Sequence, residues 1–168
     1  MYILLQALKS LVLLWHLFAF SVGAVYVWQS YRALLGPSDA EKFWSRIIRQ
    51  ADIHLWLSGF AVIAIGMALT PIGDYFADPK LWAKGIVVTT WLVSSQFLRR
   101  YALPRMQQGD RTAMLHACAV NLACWLYGAF LGVAKGLAAH AVPLSVFAGG
   151  FAAMILLCIG VTMVAASP

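Results

Sequence analysis

Six polar side chains fall where hydrocarbon should be, and they are the residues of this chain that could do chemistry. Lys9, His16, His54, Lys84, His116 and Asn121 all lie inside long apolar runs. A charge there costs about 2.5–3.5 kcal/mol or more, so such groups usually face other helices and frequently carry a role. His16 is near the middle of its run. An imidazole at that depth can ligate haem iron or another metal, carry a proton, or bond a neighbouring helix as packing glue. Lys9 lies seven residues earlier, about 20° off the same helix face. Gly23 and Ser30 continue that stripe. Lys84 opens a later run. Its ammonium either reaches the headgroups along its stem or stays in the bundle, where it can hold an acidic group or donate a proton. His54 and His116 are expected at similar depth, near one membrane surface. Together they could clamp a haem or a metal; separately, each could bond a loop carbonyl. His140 falls in a loop and is expected to be solvated.

The elements that must position these groups are helices. Apolar runs cover residues 3–35, 53–70, 81–103, 112–134 and 142–165. A span needs roughly 20 mostly apolar residues. Composition agrees: 62% of residues are hydrophobic and 11% charged, against about 25% charged in soluble domains. Mean hydropathy is +0.81. The expected fold is all-α, one integral membrane bundle of five transmembrane helices with no second domain. The N-terminal run lacks a basic flank and a small-residue cleavage site, and it reads as a retained span.

Short loops carry most of the net charge of +6, so its distribution argues for membrane orientation and against nucleic acid. The first loop region holds Arg32, Lys42, Arg46 and Arg49; the third holds Arg99, Arg100, Arg105 and Arg111. The second and fourth hold Lys80 and Lys135. Basic loops face the cytoplasm, which puts the N-terminus outside and the C-terminus inside. Gly36-Pro37-Ser38-Asp39 should stop the first helix, and residues 40–50 could form a short interfacial helix with Trp44. Thr70-Pro71 ends the second helix, Gln107-Gln108-Gly109-Asp110 makes a tight turn, and Pro143 opens the last helix.

Cys118, Cys124 and Cys158 lie inside spans without a CxxC or zinc-type spacing. They read as small buried residues, although soft ligands of this kind also suit copper(I). A Rossmann-type glycine motif, a P-loop and HExxH are all missing, which argues against nucleotide and zincin chemistry.

One resemblance extends over roughly residues 8–135. The run from His16 to Gly23, with Arg32 closing the helix, resembles the first helix of HemJ-type protoporphyrinogen oxidases. Arg46-Ile47-Ile48 through Leu57-Ser58-Gly59 looks like the second helix of the HemJ and CopD-type families. Leu81-Trp82-Ala83-Lys84-Gly85, followed by Phe97-Leu98-Arg99-Arg100 and Leu103-Pro104-Arg105, resembles their third. The resemblance implies His16 and Lys84 as functional positions and haem b as cofactor, with His16 on the iron and Lys84 in the catalytic role; the depth of His54 and His116 adds them as candidate cofactor contacts. The chemistry is coherent, because apolar helices can surround a flat macrocycle, imidazole can ligate iron, and a lysine can neutralise a propionate.

The implied function is a haem-binding oxidoreductase of the bacterial inner membrane, acting on a tetrapyrrole or a quinone. One alternative is a CopD-like copper transport or resistance protein using His16, His54 and His116. Another is a non-catalytic accessory subunit of a larger membrane complex, or a homo-oligomer.

The charge distribution generates a topology test. Cysteine probes at Asp39 and Gln108 should label from the cytoplasmic side, and one at Asp74 from the outside. Labelling of all three from one side overturns the five-span arrangement.

Overall fold

A computed structural model describes residues 2–35, 46–134 and 142–166. The described chain is all-α, without strands. Its elements are α1 (Tyr2–Leu35), α2 (Arg46–Leu69), α3 (Ile72–Ala77), α4 (Pro79–Phe97), a π-helical turn (Leu98–Ala102), α5 (Leu103–Gln107), α6 (Thr112–Val133) and α7 (Leu144–Ala165). Among the described residues, α1, α2, α6 and α7 are long and apolar enough to cross a bilayer. The protein is thus an all-α, multi-pass membrane protein in contact with lipid.

The fifth expected span corresponds to α4. At 19 residues it is about 28 Å long, close to the hydrocarbon thickness. Lys80, Lys84, Thr89, Thr90, Ser94, Ser95 and Gln96 make it less apolar than the other four. Its boundaries also move. Asp78 caps its first turn by accepting from the Lys80 amide at 2.9 Å, and Pro79 fills the first helical position. At the far end Pro104 has no N–H to give to the Arg100 carbonyl. The helix widens there, and the Leu103 amide bonds the Leu98 carbonyl five residues back. The Gln107–Asp110 turn forms as expected around Gly109, whose φ of 94° favours glycine. Two expectations change. Residues 46–50 continue α2 rather than forming a separate interfacial helix, and residues 40–45 lie outside the described residues, as do Lys135 and His140. Past Pro71 the chain forms the short helix α3.

The chain divides into two compact units, Met1–Ala77 and Asp78–Pro168. In the first unit α1 packs against α2. The buried and half-buried positions of α1 include Leu5, Lys9, Val12, His16, Ala19, Gly23 and Tyr26, in steps of four and three. Those of α2 include Ala51, Leu55, Ser58, Val62, Ile65 and Leu69, in the same steps. This is the seam of coiled-coil-like packing. The helices are antiparallel. With His16 beside Ser58, a parallel pair would separate Leu35 from Arg46 by about 46 Å, and the connecting chain reaches only about 39 Å. Tyr75 of α3 lies over Gly66, where an added Cβ would fall 2.6 Å from the ring.

In the second unit α6 is the central helix. Eleven of its 22 residues are buried, against four of 22 in α7. Ala83 and Val87 of α4, Cys124, Tyr127 and Leu131 of α6, and Phe147 and Phe151 of α7 form the core. The Tyr127 hydroxyl donates to the Phe147 carbonyl at 2.7 Å. Gly150 makes room for that phenol, since a Cβ there would lie 2.9 Å from its oxygen. The Tyr127 ring packs on Phe151 at 5.3 Å and cannot swing aside cheaply.

Gly150→Ala should therefore destabilise the second unit by about 1–2 kcal/mol through overpacking and loss of the Tyr127 bond. In a double-mutant cycle read by thermal unfolding in detergent, most of that cost should vanish in a Tyr127→Phe background. An equal cost in both backgrounds would contradict this account of the contact.

Candidate functional site

The first unit holds a histidine ring that lies within hydrogen-bonding distance of a side chain on a second helix. His16 Nδ1 lies 2.9 Å from the Ser58 Oγ, and Ser58 is fully buried. That hydroxyl donates back along its own helix to the His54 carbonyl at 2.6 Å, with the Leu55 carbonyl at 3.2 Å. Serine has one hydroxyl proton and two lone pairs. While the proton is donated to a carbonyl, Ser58 Oγ can only accept from His16, an arrangement that places a hydrogen on Nδ1. In the neutral imidazole the lone pair then resides on Nε2. Fixing one ring nitrogen by a hydrogen bond so that the other can act as ligand or base is how metal-binding histidines are oriented. The ring lies over Gly59, where a Cβ would approach its Cε1 to 3.6 Å.

The other expected positions divide between the units. His54 is exposed on α2, and its ring meets Trp15 edge-on, with centroids 5.9 Å apart. Its backbone carbonyl, rather than its ring, enters the His16 network. His116 belongs to the second unit, and its Nδ1 donates to the Thr112 carbonyl of its own helix at 2.8 Å. That contact is local, as for a histidine near a helix start. Lys9 is half-buried in the α1 seam. The three cysteines are buried and unbridged.

Lys84 and Lys80 separate in an unexpected way. The covered stripe of α4 and the π-turn runs through Lys80, Ala83, Val87, Trp91, Ser94, Leu98 and Ala102. Lys84 lies off that stripe and is exposed. Lys80 is buried, and its ammonium donates to the Ala134 carbonyl at 2.7 Å. A cation at the C-terminal end of α6 meets the negative end of the helix dipole. The sequence clue is Asp78-Pro79, which starts the helix early enough to put Lys80 inside it.

Asn121 is buried on α6 and donates through Nδ2 to Ser95 Oγ at 2.9 Å and Ser94 Oγ at 3.4 Å. Ser94 in turn donates to the Trp91 carbonyl at 3.0 Å. This network joins α6 to α4 and accounts for the depth of Asn121 as interhelical bonding. Trp91 and Trp125 meet edge-on beside it, with centroids 6.1 Å apart.

Fold and site together define an all-α membrane protein with a serine-held histidine in the seam of its first two helices. No family model matches the chain, and neither a curated protein nor a solved structure matches it.

The hydrogen-bond assignment can be read directly. Side-chain nitrogen NMR shifts of His16 should report a proton on Nδ1. Ser58→Ala removes the acceptor and should bring a mixture of tautomers, with a stability loss of about 1 kcal/mol. Unchanged shifts in Ser58→Ala would rule out Ser58 as the group that fixes the ring.

Proposed function

We infer that this protein binds haem b through His16 and acts as a membrane oxidoreductase on a tetrapyrrole or a quinone. One observation carries the reading: His16 Nδ1 lies 2.9 Å from the buried Ser58 Oγ inside an apolar helix pair, a contact that orients the ring and, with the hydrogen on Nδ1, gives Nε2 the lone pair. A neutral imidazole with that lone pair has the donor chemistry of an axial ligand. The resemblance of this helix to the HemJ-type first helix supports the same role. Bound haem b supplies one-electron redox chemistry.

The chain's own residues would do the rest. Ser58 holds the ring, and the apolar seam excludes water. Lys84, exposed near the start of α4 in the second unit, offers an ammonium to an acidic substrate group. His54, on α2 of the first unit, stands as a further cofactor contact, and His116, in the second unit, as a separate candidate. The setting proposed is the bacterial inner membrane, with five spans, the N-terminus outside and the C-terminus inside. The charge distribution supports five rather than four. Five spans put eight loop cations on one side and two on the other, whereas leaving α4 out of the membrane puts its lysines with the Arg99–Arg111 cations and nearly evens the two sides.

Purified protein, reconstituted with haem if needed, should show a Soret band with α and β bands on reduction. His16→Ala should lose the haem or convert its spectrum, with helical content retained. A chain that takes up no haem, or full and spectrally unchanged haem in His16→Ala, would sink the assignment.

A further inference from the structure

We propose that the turn between α4 and α6 is a binding site for the phosphodiester headgroup of an anionic phospholipid. Arg99 and Arg100 lie on the π-turn, Arg105 on α5 and Arg111 just before α6, and all four are exposed. Across the segment from Leu98 to Thr112, Asp110 is the single acidic residue, so the excess of positive charge is local and large.

The chemistry is specific in kind. Every cation of this segment is an arginine, while the cations at the other end of α4 are Lys80 and Lys84. A guanidinium presents a planar fork that meets phosphate oxygens two at a time, and a lysine ammonium acts as a point charge. The guanidinium of Arg105 has a neighbour on either side. Its guanidinium carbon lies 4.4 Å from the centroid of the Tyr101 ring, and Nη1 lies 3.6 Å from the Asp110 carboxylate. Tyr101 is braced by Phe97 at 4.9 Å. Asp110 is fixed by accepting from the Thr112 amide at 3.0 Å. The turn itself is tied by the Asp110 amide bonding the Arg105 carbonyl. A built, preorganised arginine loses less freedom on binding than a loose one.

Position selects the ligand. Arg111 immediately precedes α6, which is long and apolar enough to span the bilayer. Leu98 and Ala102 of the π-turn are buried, and that turn packs on α6. The four arginines therefore lie on the connection that leads into a membrane helix, where lipid phosphates are expected. Exposed Tyr101 and Phe97 offer apolar surface to the adjoining chains.

The full-length protein in neutral detergent, titrated with phosphatidylglycerol or phosphatidylcholine of identical chains and read by native mass spectrometry, tests the site. Phosphatidylglycerol should bind at least fivefold more tightly. Each arginine changed to glutamine should weaken it by roughly fivefold. The quadruple variant R99Q/R100Q/R105Q/R111Q should lose the preference while keeping its helical circular dichroism. Should that variant fail to fold, the quadruple lysine variant decides. It keeps the charge, loses the fork, and should bind phosphatidylglycerol several-fold more weakly. Preference intact in either variant, or displacement of the lipid by inorganic phosphate at equal concentration, overturns the proposal.

Discussion

Hydrocarbon offers no water to a polar group, so each polar side chain in this protein must find its partner within the chain or reach the headgroups. Two solutions recur. Ser10, Ser21, Thr90 and Thr162 donate to carbonyls four residues back on their own helices. These bonds are local and specify nothing about neighbours. A second set crosses between elements: His16 with Ser58, Asn121 with Ser95, Lys80 with the Ala134 carbonyl, and Tyr127 with the Phe147 carbonyl. Without a hydrophobic force between helices in lipid, such bonds and close packing select which helix pairs with which. The first member of the set holds α1 to α2. The other three hold α4, α6 and α7 together.

That division explains what could be read from the sequence. Spans follow from apolar length alone, and four of the five expected runs correspond to α1, α2, α6 and α7, with ends within a few residues except at the start of α2. Punctuation was equally plain at Gly109 and Pro143, because their chemistry is local. The packing faces were harder. A membrane helix is apolar all round, so the period that marks a buried stripe in a soluble helix is faint. His16 could be recognised because a polar residue at mid-depth must face a partner. Ser58 could not, since serine satisfies itself on its own helix as readily as it bonds another. Lys80 and Lys84 are one turn apart, and only the partner helix decides that Lys80 is covered and Lys84 exposed.

α4 shows how the two solutions combine. Its threonines and serines make it the least apolar of the long helices in the second unit. Yet Thr90 and Ser94 bond their own backbone, Ser95 accepts from Asn121, and Lys80 reaches the end of α6. Its polar surface is largely answered by itself and by α6. A helix of this kind is marginal alone and acceptable beside its partner, a property that hydropathy along one segment cannot express.

The site at His16 obeys the same economy of partners. Ser58 can bond its own backbone and still meet the imidazole, so one side chain ties α1 to α2 and orients the ring. Gly59 adds a steric condition. The ring lies over it, and a Cβ at 3.6 Å would make an ordinary contact, so alanine is compatible with the observed ring position. A branched side chain would extend further into the same space and tilt the ring away from Ser58. The hydrogen bond, rather than the bare glycine, is therefore the stricter requirement. A substitution at position 58 acts on the hydrogen bond of the ring, and one at position 59 on the space the ring occupies. These are separable properties of a single imidazole, and a ligand bound at Nε2 would respond to each differently: to the first through donor strength, and to the second through geometry.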